Sequence, residues 1–551
     1  MSSPRSNRTA AAAALIACAT FLVFLPALRN GFVSYDDPTY VVENPLIRSL
    51  GGDLWRGAFG FHALLWIPLV WISLALDRAL FGPGPFGFHL TNVLLHSVSA
   101  GLATAFAARL LSLVPGLSDS TGGRVEDRGP SAPVLGGAVA AGLLWAIHPL
   151  RVESVAWITE RKDVLCGVFA LCSALCYLRF AAPPAPGEPT SSWRRLGPTT
   201  AFGLLAMASK STAVTLPVVF LSLDAWPLQR LRSARDLPRA AAEKLPLFLA
   251  SAAVSALTAT AQRPIMMGLD QASLPVRALI ASHSVFAYLV DTAWPVGLSP
   301  FLPHPGEAAL TRPLYWAAAA ALLALTGAAA AWARRAPALA VAWLCWLTLL
   351  LPTLGLVQVA AQERADRFTY LPSLALALLA GGSLAALLAR GAWRWRVGAL
   401  ALVALLAASS AVATVRQTAV WRDGVAFWTC ALDRAPEMGV GYFHRARDLA
   451  RAGALPEAEA DLTRSVAIAE RKRFWHRAKI YFARAKVRAA EGHLRSALED
   501  CDAAVALAPS PQRQYLLLRA AYYSALGEPA RADADRAASA RVVGPDEPED
   551  F

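Results

Sequence analysis

Apolar and polar positions along this chain come in long blocks rather than in fine alternation. Residues 11–28, 136–147, 314–332, 341–356 and 397–415 carry no charged side chain at all. In hydrocarbon every backbone N–H and C=O must be bonded within its own segment, so such blocks predict membrane-crossing helices of roughly 20 residues. The pattern recurs too often for one large soluble core. Helices are expected at 10–28, 88–113, 131–147, 164–181, 199–210, 212–226, 245–261, 278–297, 313–333, 336–356, 370–389 and 397–416. The 199–226 pair is short and broken at Lys210; segment 278–297 carries His283 and Asp291, so it either spans or lies in the interface.

After Val415 the texture becomes charged, alanine-rich and helical in period. Gly453, Gly492 and Gly527 recur at spacings of 39 and 35 residues, each five residues before an alanine (Ala458, Ala497, Ala532). Ala446, Ala485 and Ala520 occupy the matching small position on the preceding helix, and Pro509 closes the second unit. The expectation is an all-α chain: a polytopic membrane domain over 1–416, then about three degenerate helical hairpins over 417–551. This tail resembles tetratricopeptide repeats, an α-solenoid that needs small residues where its paired helices touch.

Composition sharpens this division. Of 551 residues 56% are hydrophobic and 17% charged, against about 25% charged in soluble domains. The net charge of +13 would suit nucleic acid, but its distribution excludes that reading. Basic residues gather in short loops: Arg5 and Arg8; Arg179, Arg194 and Arg195; Arg230, Arg232, Arg235, Arg239 and Lys244; Arg334 and Arg335; Arg390, Arg394 and Arg396. Such clusters mark cytoplasmic loops. Loops 29–87, 148–163, 262–277 and 357–369 then face the other side, with about eleven crossings and the tail outside. The expected location is an inner, cytoplasmic membrane with the first loop and the tail periplasmic. The first helix reads as retained, since Pro26-Ala27-Leu28-Arg29 is no small-residue cleavage site. Seven scattered cysteines form neither a metal pair nor a disulfide framework.

Three outer segments concentrate ionisable groups, which are costly beside a membrane and call for a functional reading. The first holds Asp36, Asp37 and Glu43. Adjacent aspartates at a membrane exit can supply a general base, because desolvation and mutual repulsion raise proton affinity; Asp-Asp-Pro is equally a turn signal. The second, 148–163, carries seven ionisable groups in sixteen residues, and one continuous helix there would align Glu153, Trp157 and Glu160. The third holds Arg364, Asp366, Arg367 and Tyr370. Arg and Lys in these places can grip a lipid phosphate, or simply contact headgroups. Lys210 interrupts an apolar run, either as a ligand or as a snorkelling side chain.

In order and combination the motifs resemble the bacterial relatives of the transmembrane and tetratricopeptide-repeat O-mannosyltransferases, of the GT-C class. They are Tyr35-Asp36-Asp37 with Asn44-Pro45; Phe88-His89-Leu90-Thr91-Asn92 with His96; His148-Pro149 through Glu153 and Trp157 to Glu160-Arg161-Lys162-Asp163; Ser209-Lys210; Trp294-Pro295 with Pro303-His304-Pro305; Ala365-Asp366-Arg367 with Tyr370-Leu371-Pro372; and Trp421-Arg422-Asp423. The resemblance implies a polyprenyl-phosphate sugar as donor, mannose, and serine or threonine of an exported protein as acceptor, reached through the repeats. It implies an inverting displacement with Asp36 and Asp37 at the catalytic position. Arg161, Lys162, Lys210, Arg364 and Arg367 are the phosphate-binding candidates, and Glu43, His148, Glu153, Asp366 and Tyr370 the substrate-site candidates. No nucleotide or other cofactor is called for. No metal-ligand pattern is evident, although an aspartate pair could hold one divalent cation. One departure stands out: where the family commonly has Trp-His-Pro-Leu-Thr-Trp, this chain has Trp66-Ile67-Pro68-Leu69-Val70-Trp71. Two alternatives stay open, a catalytically inactive membrane-anchored scaffold and an enzyme whose acceptor is a glycan or lipid.

Overall fold

The structure, a computed structural model, describes residues 4–117, 129–182, 192–266, 272–356, 362–472 and 476–542. Parts of the expected outer loops, 267–271 and 357–361, lie outside the described residues, as do the side chains of Arg5 and Arg194. Among the described residues every regular element is helical, and strand pairing is confined to two isolated bridges, His62–Leu65 and Pro303–Gln362. The chain falls into two compact units, Met1–Arg422 and Asp423–Phe551.

Among the described residues of the first unit seven helices are long and apolar enough to cross a membrane: Asn7–Arg29, Pro85–Ser112, Ile158–Ala181, Leu245–Gln262, Pro313–Ala331, Pro372–Arg390 and Trp393–Trp421. Ala132–Ala146 and Pro149–Ala156 form a pair bent by 56° that would make an eighth, while Ser211–Ala225 and Pro337–Thr353 are shorter apolar helices. This is a multi-pass membrane protein. Length and apolarity identify seven or eight spans where about eleven were expected. The difference lies in short helices and in Leu274–Ala293, which carries Arg277, His283 and Asp291. The loop expected at 29–87 holds a helix of its own, Pro68–Phe81, whose 14 residues are too few for a span and include Asp77 and Arg78.

Proline opens many of these helices, at Pro68, Pro85, Pro313, Pro337 and Pro372. Its missing N–H would have had no partner in the first turn anyway. Ala132–Ala146 and Pro372–Arg390 cross at Gly137 and Gly381, where a Cβ on either would meet the other's carbonyl oxygen at 2.3–2.4 Å. Glycine is required there for the backbones to touch, as in small-residue membrane packing. That contact brings the C-terminal end of one helix beside the N-terminal end of the other. Trp145 Nε1 donates to Tyr370 O at 2.8 Å and Arg151 Nη2 to Thr369 Oγ1 at 2.5 Å.

The second unit opens at Asp423, whose side chain caps the helix Gly424–Arg434 by accepting from Ala426 N at 2.8 Å. Three hairpins follow: Gly439–Arg451 with Leu455–Lys472, Arg477–Ala490 with Leu494–Leu507, and Arg513–Ala525 with Pro529–Ser539. Gly453, Gly492 and Gly527 turn them at φ of +83°, +88° and +80°, the left-handed region that disfavours a side chain. The six recurrent alanines are buried at 0–1% exposure between the paired helices. Each hairpin also carries a bidentate arginine–aspartate pair at 2.7–2.9 Å: Arg445–Asp461, Arg484–Asp500 and Arg519–Asp535.

Candidate functional site

The two aspartates of the first loop have different environments. Asp37 is buried. Its Oδ2 accepts from Val33 N at 2.8 Å, and its Oδ1 accepts from Thr159 N at 3.2 Å and Thr159 Oγ1 at 2.6 Å. Burial raises its pKa to about 7 even though the Thr159 hydroxyl pulls the other way. Asp37 therefore ties the first loop to the segment 157–160. Asp36 is half-buried, and its carboxylate has no side-chain hydrogen bond among the described residues. Burial raises its proton affinity, opposed by the charges of Lys162 and Arg367.

The segment 148–163 is not one continuous helix, so the alignment such a helix would give Glu153, Trp157 and Glu160 does not arise. It runs as a 3-10 turn Pro149–Arg151, a helix Val152–Ala156, extended backbone at Trp157 (φ −90°, ψ 120°) and a second turn Ile158–Glu160. Trp157 breaks it by stacking on Trp421 at 5.2 Å and packing against Tyr35 at 5.6 Å. The break turns Glu153, Glu160 and Lys162 inward. Arg367 pairs with Glu153 through both its guanidinium and its backbone N–H, the latter at 3.0 Å, and its Nε lies 3.2 Å from Glu160 Oε1. Lys162 Nζ reaches the same oxygen at 3.1 Å, and Lys210 Nζ sits 3.5 Å from Glu160 Oε2 and 2.5 Å from Asp163. Lys162 and Arg367 also lie over the Trp157 ring at 5.9 and 5.4 Å. Lys210 thus points into the protein; it does not snorkel.

The other candidates are placed elsewhere. Arg161 is fully buried and engaged by Asn92, Ser73 (2.6 Å), Asp77 (2.5 Å) and the Phe88 carbonyl (2.8 Å), which leaves its guanidinium no face for a ligand. Arg364 pairs with Asp291. His148 bonds the Thr292 carbonyl at 3.0 Å and caps its own turn through Leu150 N. Tyr370 is buried, its hydroxyl on His96 Nδ1 at 2.8 Å. Asp366 is buried, and burial reinforced by Glu153 and Asp291 holds its pKa well above the usual range. Glu43 is exposed and outside the cluster. Asp77 and Thr159 were not singled out from sequence; Glu160 and Asp163 were read as part of the charge-dense 148–163 segment and its motif but not as site candidates. Asp37 Oδ1 accepts two hydrogen bonds and Oδ2 one, so the acceptor capacity that the aspartate pair keeps for a cation lies in Oδ2 and in Asp36. Among the described residues, the one group with three converging metal-ligand atoms is Glu459, Glu491 and His493, in the tail.

Below the charges lies an apolar cavity of about 380 Å³. Leu216 and Leu371 line it, six and four residues beyond Lys210 and Arg367, and so do Phe106, Phe220, Leu378 and Arg390.

Curated proteins with similar sequence carry one kind of name. Protein O-mannosyl-transferase Tmtc2 of Drosophila melanogaster is 32% identical over 231 residues, 39% of this chain and 22% of that protein. The chain is a sequence relative of the TMTC protein O-mannosyl-transferases. Tmtc1 of Drosophila melanogaster is 31% identical over 225 residues, 39% of this chain and 23% of that protein, and human TMTC2 33% identical over 183 residues, 33% and 19%. The chain matches less than a quarter of the length of each of these TMTC proteins. The likeness read from the motifs agrees with these comparisons. No family model matches the chain. Among solved structures, ArnT from Cupriavidus metallidurans bound to undecaprenyl phosphate aligns over 89% of this chain and 79% of its own, at 14% identity and a TM-score of 0.35. At that score the superposition fixes neither fold nor site.

Proposed function

We propose that the protein is a membrane glycosyltransferase that moves mannose from a polyprenyl phosphate to serine or threonine of an exported protein. The observation that carries the reading is Asp36: a half-buried carboxylate without a hydrogen-bonded partner, under the influence of two cations, Lys162 and Arg367. The names of the TMTC relatives support the reaction class.

The chemistry follows from that arrangement. Asp36 takes the proton of the acceptor hydroxyl as its oxygen bonds to the anomeric carbon. The bond from that carbon to the phosphate oxygen breaks on the opposite face, and its electron pair stays with the phosphate, so the sugar inverts. The phosphate gains the one negative charge that Asp36 loses, and Lys162 and Arg367 stabilise it where it develops. Asp37 is a positioning residue, fixing the first loop to Thr159. The apolar cavity suits the isoprenoid chain, and the helical hairpins present the acceptor protein. The first loop and the tail then belong on the non-cytosolic side.

The scaffold alternative drew its support from Ile67 and Val70. Both are buried in an apolar cluster with Tyr40, Trp71 and Leu74, so polar groups at these two positions are not what furnishes the charged site. Reconstituted vesicles holding polyprenyl-phosphate mannose test the reading. Labelled mannose should appear on a serine- or threonine-containing peptide; transfer to lipid only, or none, would contradict it.

A further inference from the structure

We propose that Glu160 is a resident counter-ion that holds the phosphate-binding cations in the empty site and exchanges with the donor's phosphate. The inference rests on the reading of the site given above. It goes further by assigning a task to a carboxylate that the transfer chemistry leaves unused.

Glu160 is 1% exposed, and neither of its oxygens has a hydrogen-bond donor in good geometry. Ion pairs hold it, to Lys162, Arg367 and Lys210 at 3.1, 3.2 and 3.5 Å, with the carboxyl of Asp163 in hydrogen-bonding reach beside it. Its neighbours are held differently. Glu153 accepts the Arg367 backbone N–H at 3.0 Å, and Asp163 accepts Ser154 Oγ at 3.1 Å as well as Lys210. Buried carboxylates are normally hydrogen-bonded as well as paired. Glu160 is the member of the cluster that accepts from no N–H or hydroxyl donor in good geometry, so only its ion pairs and its contact with the Asp163 carboxyl oppose its leaving.

Charge balance gives the reason for it to leave. Lys162, Lys210 and Arg367 already face three carboxylates, Glu153, Glu160 and Asp163, with Asp36 beside them. A phosphodiester added to that set would leave excess negative charge in a desolvated site, which is strongly unfavourable. Replacing the Glu160 contacts with phosphate oxygens keeps the cations satisfied. Phosphate offers them better geometry, since guanidinium and ammonium donors pair well with its several acceptor oxygens. After transfer the phosphate carries one more negative charge and is held more firmly. The return of Glu160 to its cations then helps to expel it.

The exchange predicts a split between binding and turnover that a merely structural carboxylate would not produce. The full chain in detergent is titrated with farnesyl phosphate, inorganic phosphate and farnesol. Glu160→Gln should bind farnesyl phosphate about tenfold more tightly than the parent, a difference easily resolved by titration. It should also turn over more slowly, with both KM and kcat reduced. Should Glu160→Gln fail to fold, Glu160→Asp, whose shorter side chain withdraws from the cations, should tighten binding to a smaller extent. Unchanged or weaker binding in the folded variants, with the parent still binding, overturns the exchange and leaves the transferase reading standing. Equal tightening for inorganic phosphate would assign the site to free phosphate and overturn the lipid exchange. A parent that binds no farnesyl phosphate overturns both.

Discussion

Two clusters of buried charge sit on the helix Arg161–Ala181, one near each end, roughly 24 Å apart at 1.5 Å per residue. Around Tyr177 the network is closed. Asp224 accepts from Tyr177 (2.6 Å), Arg230 (2.9 Å) and Lys244 (2.6 Å), while Arg230 makes a second, bidentate contact with Glu243 at 2.7–2.8 Å. Two cations meet two carboxylates, and each carboxylate is hydrogen-bonded. At the other end, around Lys162, the network is open. Among the described residues neither Glu160 oxygen has a donor in good geometry, the Asp36 carboxylate has no side-chain hydrogen bond, and Arg151 Nε and Nη1 have none. Buried charge that serves structure is satisfied, because an unpaired group in low dielectric costs more than its pair returns. Buried charge left partly unsatisfied is held for something else. The contrast also revises the topological reading of the basic loop. Arg230 and Lys244, read from sequence as a topological signal, staple the loop to the helix ends.

The largest effect expected from this contrast is at the closed cluster. Asp224→Asn uncovers Lys244 and Arg230 and should cost about 3–5 kcal/mol in stability, read by thermal unfolding in detergent, with KM for the donor unchanged. At the open cluster Lys162→Met should do the reverse, weakening farnesyl phosphate binding about tenfold with little change in the melting curve. A melt lowered as far as that of Asp224→Asn would erase the distinction.

Asp37→Asn is intermediate. Its buried donors lose an acceptor, at a cost of about 1–3 kcal/mol. Its pH dependence has a definite sign. The folded pKa, about 7, exceeds the ordinary 3.8, so the folded state binds the proton more tightly than the unfolded one. Wild-type stability relative to Asp37→Asn should therefore fall as pH rises from about 4 to about 7, then level off. Burial also raises Asp36, so the acid limb of kcat/KM should lie above the ordinary carboxylate range. The smallest effect is in the tail, where Gly492→Ala at φ +88° should cost about 1 kcal/mol and leave donor binding untouched.

Much of this was legible in the sequence because it follows from local rules. Charge-free blocks located the helices, the glycine spacing located three hairpins, and Lys210 marked a real break. The remainder depended on contacts between distant segments. Nothing in their residue types distinguishes Asp36 from Asp37; Val33 N and, more than a hundred residues away, Thr159 engage one and leave the other. Arg161 and Lys162 are neighbours in sequence, yet Asp77 and Asn92 capture the first while the second faces the cluster. The continuous helix over 148–163 failed at Trp157, whose stacking partner Trp421 lies at the far end of the unit. The arginine–aspartate pairs of the tail share the glycine spacing and could have been found by extending the repeat to charged positions.

The most direct test of a shared site for Asp36 and the cations compares Asp36→Asn with the parent in both binding and transfer. The variant is predicted to bind farnesyl phosphate at least as tightly as the parent, since one negative charge is gone. Its mannose transfer from polyprenyl phosphate in vesicles should fall by about two orders of magnitude or more. Transfer that survives in Asp36→Asn, at parental rates and with binding intact, would contradict the account.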